Sequence, residues 1–168
     1  MSTTQNTLAA AFLSEFNGEI PATQKFLERL SDQHLSWKPA EKSMTAGQVA
    51  LHVAQVPAGV LLMTTKDSSE VPDLSRFEQP QSATYIVATL EDTVQKVRDV
   101  LPTVSDERMH QTFKFTKDGV SVWEAPRVAV LRTIMLNHWY HHRGQLSVYL
   151  RLLGLSVPSA YGPTADER

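Results

Sequence analysis

The chain has 168 residues, with 16 basic and 18 acidic side chains and no cysteine. That length fits one domain, residues 1–168, able to bury a core without covalent staples. The lack of cysteine excludes disulfides, thiolate-bound zinc, iron–sulfur clusters and cysteine nucleophiles, and suits a reducing cytoplasm. A net charge of −2, with no Lys/Arg cluster beyond that of a solvated helix face, argues against nucleic acid or an anionic membrane as partner. Met1 to Asn6 is polar and lacks a basic n-region, so neither a signal peptide nor a membrane span is expected.

From Thr7 to Leu30 the residues Phe12, Phe16, Ile20, Leu27 and Leu30 recur at helical intervals. The spacing predicts a first helix, kinked at Pro21, whose ring clashes with the carbonyl four residues back. Ser31 to Ser43 reads as a connection in which Trp37 covers the core. A second helix is expected from Thr45 to about Lys66, with Val49, His52, Val56 and Met63 along one stripe. Pro57 should bend it near Val53, and Gly59 would admit a close helical neighbour. Asp67 to Gln81, rich in Ser, Pro and acidic residues, reads as a loop. Ser82 is placed to cap a third helix that carries Ile86, Leu90, Val94, Val97 and Leu101 on one face and stops before Pro102.

Thr112–Thr116 and Val120–Glu124 are alternating runs joined through Lys117-Asp118-Gly119, and an Asp-Gly between such runs predicts a β-hairpin. Pro126 stands where a fourth helix can begin, and that helix should run to about Leu153 with Gly154 as its stop. Leu155 to Arg168 is expected to lie over the helices as an extended arm. Long amphipathic helices around one core argue for an all-α antiparallel bundle, with the hairpin inserted before the last helix.

The fourth helix carries Leu136-Asn137-His138-Trp139-Tyr140-His141-His142-Arg143-Gly144-Gln145-Leu146. At about 100° per residue, Leu131, Met135, Leu146, Leu152 and Leu153 fall within about 80° of His138. His138 and His142 are therefore expected on the apolar face, one turn apart, with His141 at the edge of the stripe. Burying an imidazole without partners costs on the order of 1–3 kcal/mol. Two solutions stay open: each ring bonds to a carbonyl or carboxylate, or the stacked pair takes a divalent metal, as i, i+4 histidines on one helix do. His52, mid-stripe on the second helix, is the candidate third ligand. Three neutral imidazoles would leave coordination positions open to water or substrate. His141, Gln48, Gln145 and Tyr149 are candidates to orient such ligands and are equally well explained by packing. His34 and His110 read as surface residues.

Several sharper motifs are absent. The histidine run lacks the glutamate that a His-Glu-x-x-His protease needs as general base. Glu107-Arg108-Met109-His110 stands alone where a di-iron bundle needs two such pairs. There is no nucleophile elbow, phosphate-cradling glycine loop or dinucleotide fingerprint.

Three stretches together resemble the DinB-like (DinB/YfiT) proteins: Thr45-Ala46-Gly47-Gln48-Val49-Ala50-Leu51-His52, the His138 to Leu146 run, and Val157-Pro158-Ser159-Ala160-Tyr161-Gly162-Pro163. The likeness covers nearly the whole chain in order. It implies a four-helix bundle of unusual topology, a homodimer, and a divalent metal (zinc, nickel, iron or manganese) held by His52, His138 and His142. It also implies a small-molecule substrate, since relatives include metal-dependent transferases of low-molecular-weight thiols. The functions left open are a metal-dependent enzyme activating a thiol or water, a non-catalytic or stress-related metal-binding protein, and a bundle with hydrogen-bonded core histidines and no metal.

Overall fold

The computed structural model describes residues 7–73 and 77–167, so the polar Met1–Asn6 opening lies outside the described residues. Helix α1 (Thr7–Leu27) passes through Pro21 without ending and stops at Leu27 rather than Leu30. Its start is capped from a distance: the Asp106 carboxylate accepts from the Thr7 and Leu8 N–H groups at 3.2 and 3.0 Å. A carboxylate suits the helix end where donors lack partners and the dipole is positive.

Helix α2 (Ala46–Thr64) opens with a reciprocal cap. Thr45 Oγ1 accepts from the Gln48 N–H at 3.1 Å, and Gln48 Oε1 accepts from the Thr45 N–H at 2.9 Å, which satisfies two of the helix's orphan donors. By length and composition α2 is apolar enough to cross a membrane, and 67% of that window is buried inside the molecule, the place of a core helix. Pro57 lies inside it and has no N–H to give to the Val53 carbonyl. That carbonyl is served from another helix, by the Trp139 indole N–H at 2.9 Å.

Helix α3 (Ala83–Val100) starts on Ser82, whose hydroxyl accepts from the Tyr85 N–H at 3.1 Å. Ile86, Leu90, Val97 and Leu101 are buried as the spacing predicts, while Val94 is half-buried. Gly59 departs from expectation. A Cβ there would meet nothing within 4 Å, because the residue faces an open groove of about 480 Å³ between α2 and α3 rather than a close neighbour.

After the short helix α4 (Asp106–His110), strands β2 (Thr112–Lys117) and β3 (Val120–Pro126) form the expected antiparallel hairpin. Asp118 and Gly119 have φ of 53° and 77°, the left-handed pair that a two-residue type I′ turn requires. The loop expected over Asp67–Gln81 contains a further strand, Ser68–Glu70, which pairs in parallel with β2 on the side away from β3. In chain order it precedes the hairpin and is named β1. Its Glu70 carboxylate accepts from the Asp118 and Gly119 N–H groups at 3.1 and 3.2 Å and from the Thr116 hydroxyl at 2.6 Å, clamping the turn. The fold is thus helix-dominated with a small mixed three-stranded sheet, more β-structure than a hairpin alone.

The last helical run begins as α5 (Arg127–Val130), widens into a π-helical stretch over Leu131–Asn137 and continues as α6 (His138–Leu152). The wheel angles expected for Leu131 and Met135 relative to His138 do not carry across that stretch, because i→i+5 bonding changes the turn. Gly154, at φ 74°, ends the run with the paired bonds of a left-handed glycine stop: Leu155 N–H to the Leu150 carbonyl at 2.9 Å and Gly154 N–H to the Arg151 carbonyl at 3.1 Å.

Among the described residues two arginines are buried. Arg127, 1% exposed, donates to the carbonyls of Thr64, Lys66, Gln111 and Thr112 and to the Asp67 carboxylate at 2.7–3.0 Å. It joins the end of α2 to the base of the hairpin. Arg143, 2% exposed, bonds the Glu19 carboxylate and Thr23 Oγ1 on α1, and Glu19 also accepts from the Tyr161 hydroxyl of the C-terminal arm at 3.1 Å.

Removing the indole donor while Pro57 remains strands a buried carbonyl. Trp139→Phe should therefore destabilise the protein by about 1–3 kcal/mol in chemical denaturation from this term alone. In a Pro57→Ala background, where residue 57 regains an N–H for Val53, the same change should cost measurably less. Equal costs in the two backgrounds would show that the indole–carbonyl bond does not hold the Trp139 contact.

Candidate metal centre

The Trp139–Val53 bond joins residues that immediately follow His138 and His52, so it sets α6 and α2 level where these histidines stand. His138 Nε2 lies 3.1 Å from His52 Nε2 and 3.1 Å from His142 Nε2. One ligand atom from each of the three falls within 4.8 Å of the others. The ring planes are close to mutually perpendicular, at 87–89°. Three nitrogens about 2.0–2.1 Å from a common ion in tetrahedral geometry sit roughly 3.3 Å apart, so the donor set fits a first-row divalent metal with little adjustment.

All three rings are half-buried. Burial, with the neighbouring imidazoles second, holds His52 down to about 4. His138 and His142 are lowered for the same leading reason. Desolvation penalises the charged ring, so the imidazoles are neutral at pH 7, and the neutral form is the one with a lone pair to give.

The position of the rings differs from the expectation. The fully buried stripe of α6 is Trp139, Arg143, Leu146 and Leu150, centred about 110° round the helix from His138. The histidines stand at the border of the buried face rather than in its middle, and Leu152, expected beside them, is 59% exposed. On α2 the wheel around His52 likewise passes from buried Val49 and Val53 to half-buried Gln48 and Gln55 and exposed Gly59.

Of the other residues singled out from the sequence, Gln145 reaches the site: its Oε1 lies 2.8 Å from His142 Nδ1. Tyr149 reaches it only through Gln145. His141 is exposed at the rim, its ring centroid 4.9 Å from that of His142. Gln48 bonds none of the rings; besides capping α2, its Nε2 donates to the Phe77 carbonyl at 3.0 Å. His34 is half-buried and turned to its own connection, where its Nδ1 accepts from the Ser31 N–H at 3.1 Å, and His110 is exposed. Phe77 is the residue that sequence reasoning missed. It stands edge-on to His52 with centroids 5.6 Å apart, and in a stretch read as loop nothing marks one aromatic as belonging to a site.

The sequence profile of the DinB family matches residues 1–168. The chain belongs to the DinB family. Among DinB-family relatives, the uncharacterized protein YrdA of Bacillus subtilis is 28% identical over 157 residues, which are 93% of this chain and 89% of that protein. The crystal structure of a DinB-like protein from Bacillus cereus superposes with a TM-score of 0.71 at 30% identity, covering 89% of this chain and 95% of the other. The fold is shared also with the DinB-like protein YjoA of Bacillus subtilis, at a TM-score of 0.68 and 23% identity over 94% of this chain and 99% of that one.

In this DinB-family chain the segment carrying Phe77 is seated by a glycine. A Cβ on Gly47 would come within 2.9 Å of the Leu35 carbonyl oxygen and 2.9 Å of Pro80 Cγ. Gly47→Ala should cost about 1–3 kcal/mol by overpacking against backbone that cannot yield. Gly144→Ala on α6, where a Cβ meets nothing within 4 Å, should be neutral or stabilising. Denaturation midpoints of the two variants check this contrast.

Proposed function

We propose that this DinB-family protein holds a divalent metal, zinc, nickel, iron or manganese, on His52, His138 and His142 and uses it in enzyme chemistry on a small molecule. A low-molecular-weight thiol or water is the nucleophile of that reading. The observation that carries it is the convergence of three neutral, mutually perpendicular imidazoles, with His138 Nε2 3.1 Å from the Nε2 of each of the other two and one ligand atom of each ring within 4.8 Å of the others. A divalent ion held by these three residues would supply Lewis acidity and lower the pKa of a thiol or water bound to it. The chain's own part is to keep three lone pairs aimed at one point, to brace His142 through Gln145, and to cover one flank of His52 with Phe77. The same reading takes α1, α2, α3 and α6 as an antiparallel four-helix bundle, and the protein as a cytoplasmic homodimer.

A second reading, a non-catalytic or stress-related metal-binding protein, draws on a different observation. Among the described residues the Nε2 atoms of the three rings lie against one another and His142 Nδ1 lies against Gln145, with no carboxylate beside them to serve as a general base.

Elemental analysis of protein purified without a His-tag should find close to one late divalent metal per chain, and His138→Ala should lose it. Less than about a tenth of a metal per chain across several growth media would overturn both readings, because a competent three-imidazole site binds such metals well. A screen of thiols, electrophiles and esters then separates the two. Turnover that disappears on chelation supports the enzyme, and turnover that survives in metal-free protein sinks it. A bound metal with no metal-dependent turnover leaves the second reading.

A further inference from the structure

The hydrogen bonds behind His142 form a chain whose direction is fixed at its far end. The Met44 carbonyl only accepts, so the Tyr149 hydroxyl, 3.2 Å away, must donate to it. Having given up its proton in that direction, the Tyr149 oxygen is left as an acceptor for Gln145 Nε2 at 3.5 Å. Gln145 therefore turns its carbonyl oxygen toward His142, where Oε1 lies 2.8 Å from Nδ1. An amide oxygen is acceptor-only, so Nδ1 must carry the ring proton. In a neutral imidazole that leaves Nε2 as a bare lone pair, and Nε2 is the atom 3.1 Å from His138 Nε2.

We propose that Gln145 and Tyr149 are positioning residues that lock His142 in its Nδ1–H tautomer, so that the backbone at Met44 dictates that the nitrogen of His142 facing the triad is the unprotonated one. The inference rests on the metal-site reading for its consequence, tighter metal binding, but the lock itself is a property of the metal-free protein. Tyr149 suits the task because it is 4% exposed and its ring is braced edge-on by Trp37 at a centroid distance of 5.7 Å. Met44 is held nearby by the α2 cap, since Thr45, the next residue, is the capping residue. The relay thus ties the orientation of an α6 side chain to the N-terminal end of α2, the helix that contributes His52.

Long-range 1H–15N NMR of the metal-free protein reads the tautomer directly. In the wild type His142 should appear as Nδ1–H with Nε2 unprotonated. Gln145→Leu should shift it toward the Nε2–H form and weaken zinc binding, measured by chelator competition, by about 10–100-fold, the usual cost of losing a partner behind a metal-bound histidine. Tyr149→Phe keeps the packed ring but frees the Gln145 amide to turn, and should give an intermediate loss. Gln145→Glu presents an acceptor whichever way it turns, so it should keep the Nδ1–H tautomer and make zinc affinity insensitive to Tyr149→Phe. A merely structural role for Gln145 and Tyr149 predicts no tautomer change and no such rescue. An unaltered His142 tautomer in Gln145→Leu overturns the proposal. A wild type that shows the locked tautomer, lost in Gln145→Leu, yet takes up none of zinc, nickel, iron or manganese overturns the metal reading and leaves the lock standing.

Discussion

A proline in the middle of α2 and an indole on α6 answer one another. Pro57 deprives the Val53 carbonyl of its helical donor, and the Trp139 N–H restores the bond from outside. A buried carbonyl without a donor is costly, so the two helices have one level and one rotation at which this group is satisfied. Because His52 precedes Val53 and His138 precedes Trp139, that level also brings the histidines face to face. Sliding either helix by one residue would turn its side chains by about 100°, which would separate the rings and orphan the carbonyl in the same movement. Phe16 stacks on the Trp139 ring at 5.2 Å and holds the indole in place from α1.

The ends of α2 are fixed by groups of different kinds. Its first turn is closed by the Thr45–Gln48 cap, and at its end Arg127 gathers the carbonyls of Thr64, its last residue, and of Lys66 just beyond. A guanidinium buried in this way is a device for geometry more than for stability, since desolvating the charge offsets much of what its bonds return. Arg143 does the corresponding work for α6, binding Glu19 and Thr23 on α1 while lying 5.1 Å over the ring of Tyr161 from the C-terminal arm. The three imidazoles therefore sit on helices whose register and ends are set by contacts that involve no metal. Such a site is preorganised, with its ordering cost met during folding rather than at binding.

The start of α3 and the end of α6 were legible because they are written in local chemistry: Ser82 and Gly154 act within a few residues of themselves. The Asp118-Gly119 turn was legible for the same reason. The candidate ligands were legible because an i, i+4 pair of histidines keeps its meaning on any helix. What escaped is non-local. Strand Ser68–Glu70 is short and has no alternation of its own; it exists because Glu70 reaches the turn of a hairpin more than forty residues later in the chain and because β2 offers an edge. The centre of the buried face of α6 was misplaced because Arg143 reads as polar and Trp139 as amphipathic until Glu19 and Val53 are brought to them by the fold. Gly59 was misread because a glycine in a helix signals close approach only where a neighbour is present.

The border position of the histidines reconciles two demands that conflict elsewhere in a protein. A metal ligand must be unprotonated near neutrality, which favours burial, and a site that acts on a substrate must be reachable, which favours exposure. Rings at the centre of the α6 stripe, where Trp139 and Leu146 are fully buried, would meet the first demand and be sealed from the second. Fully exposed rings would meet the second while losing the desolvation that keeps them neutral. Half-buried on both helices, His52, His138 and His142 have enough covering to lose their protons and an edge that the core does not close. On the proposed reading, this half-buried placement, as much as the identity of the three side chains, is what suits the site to holding a metal.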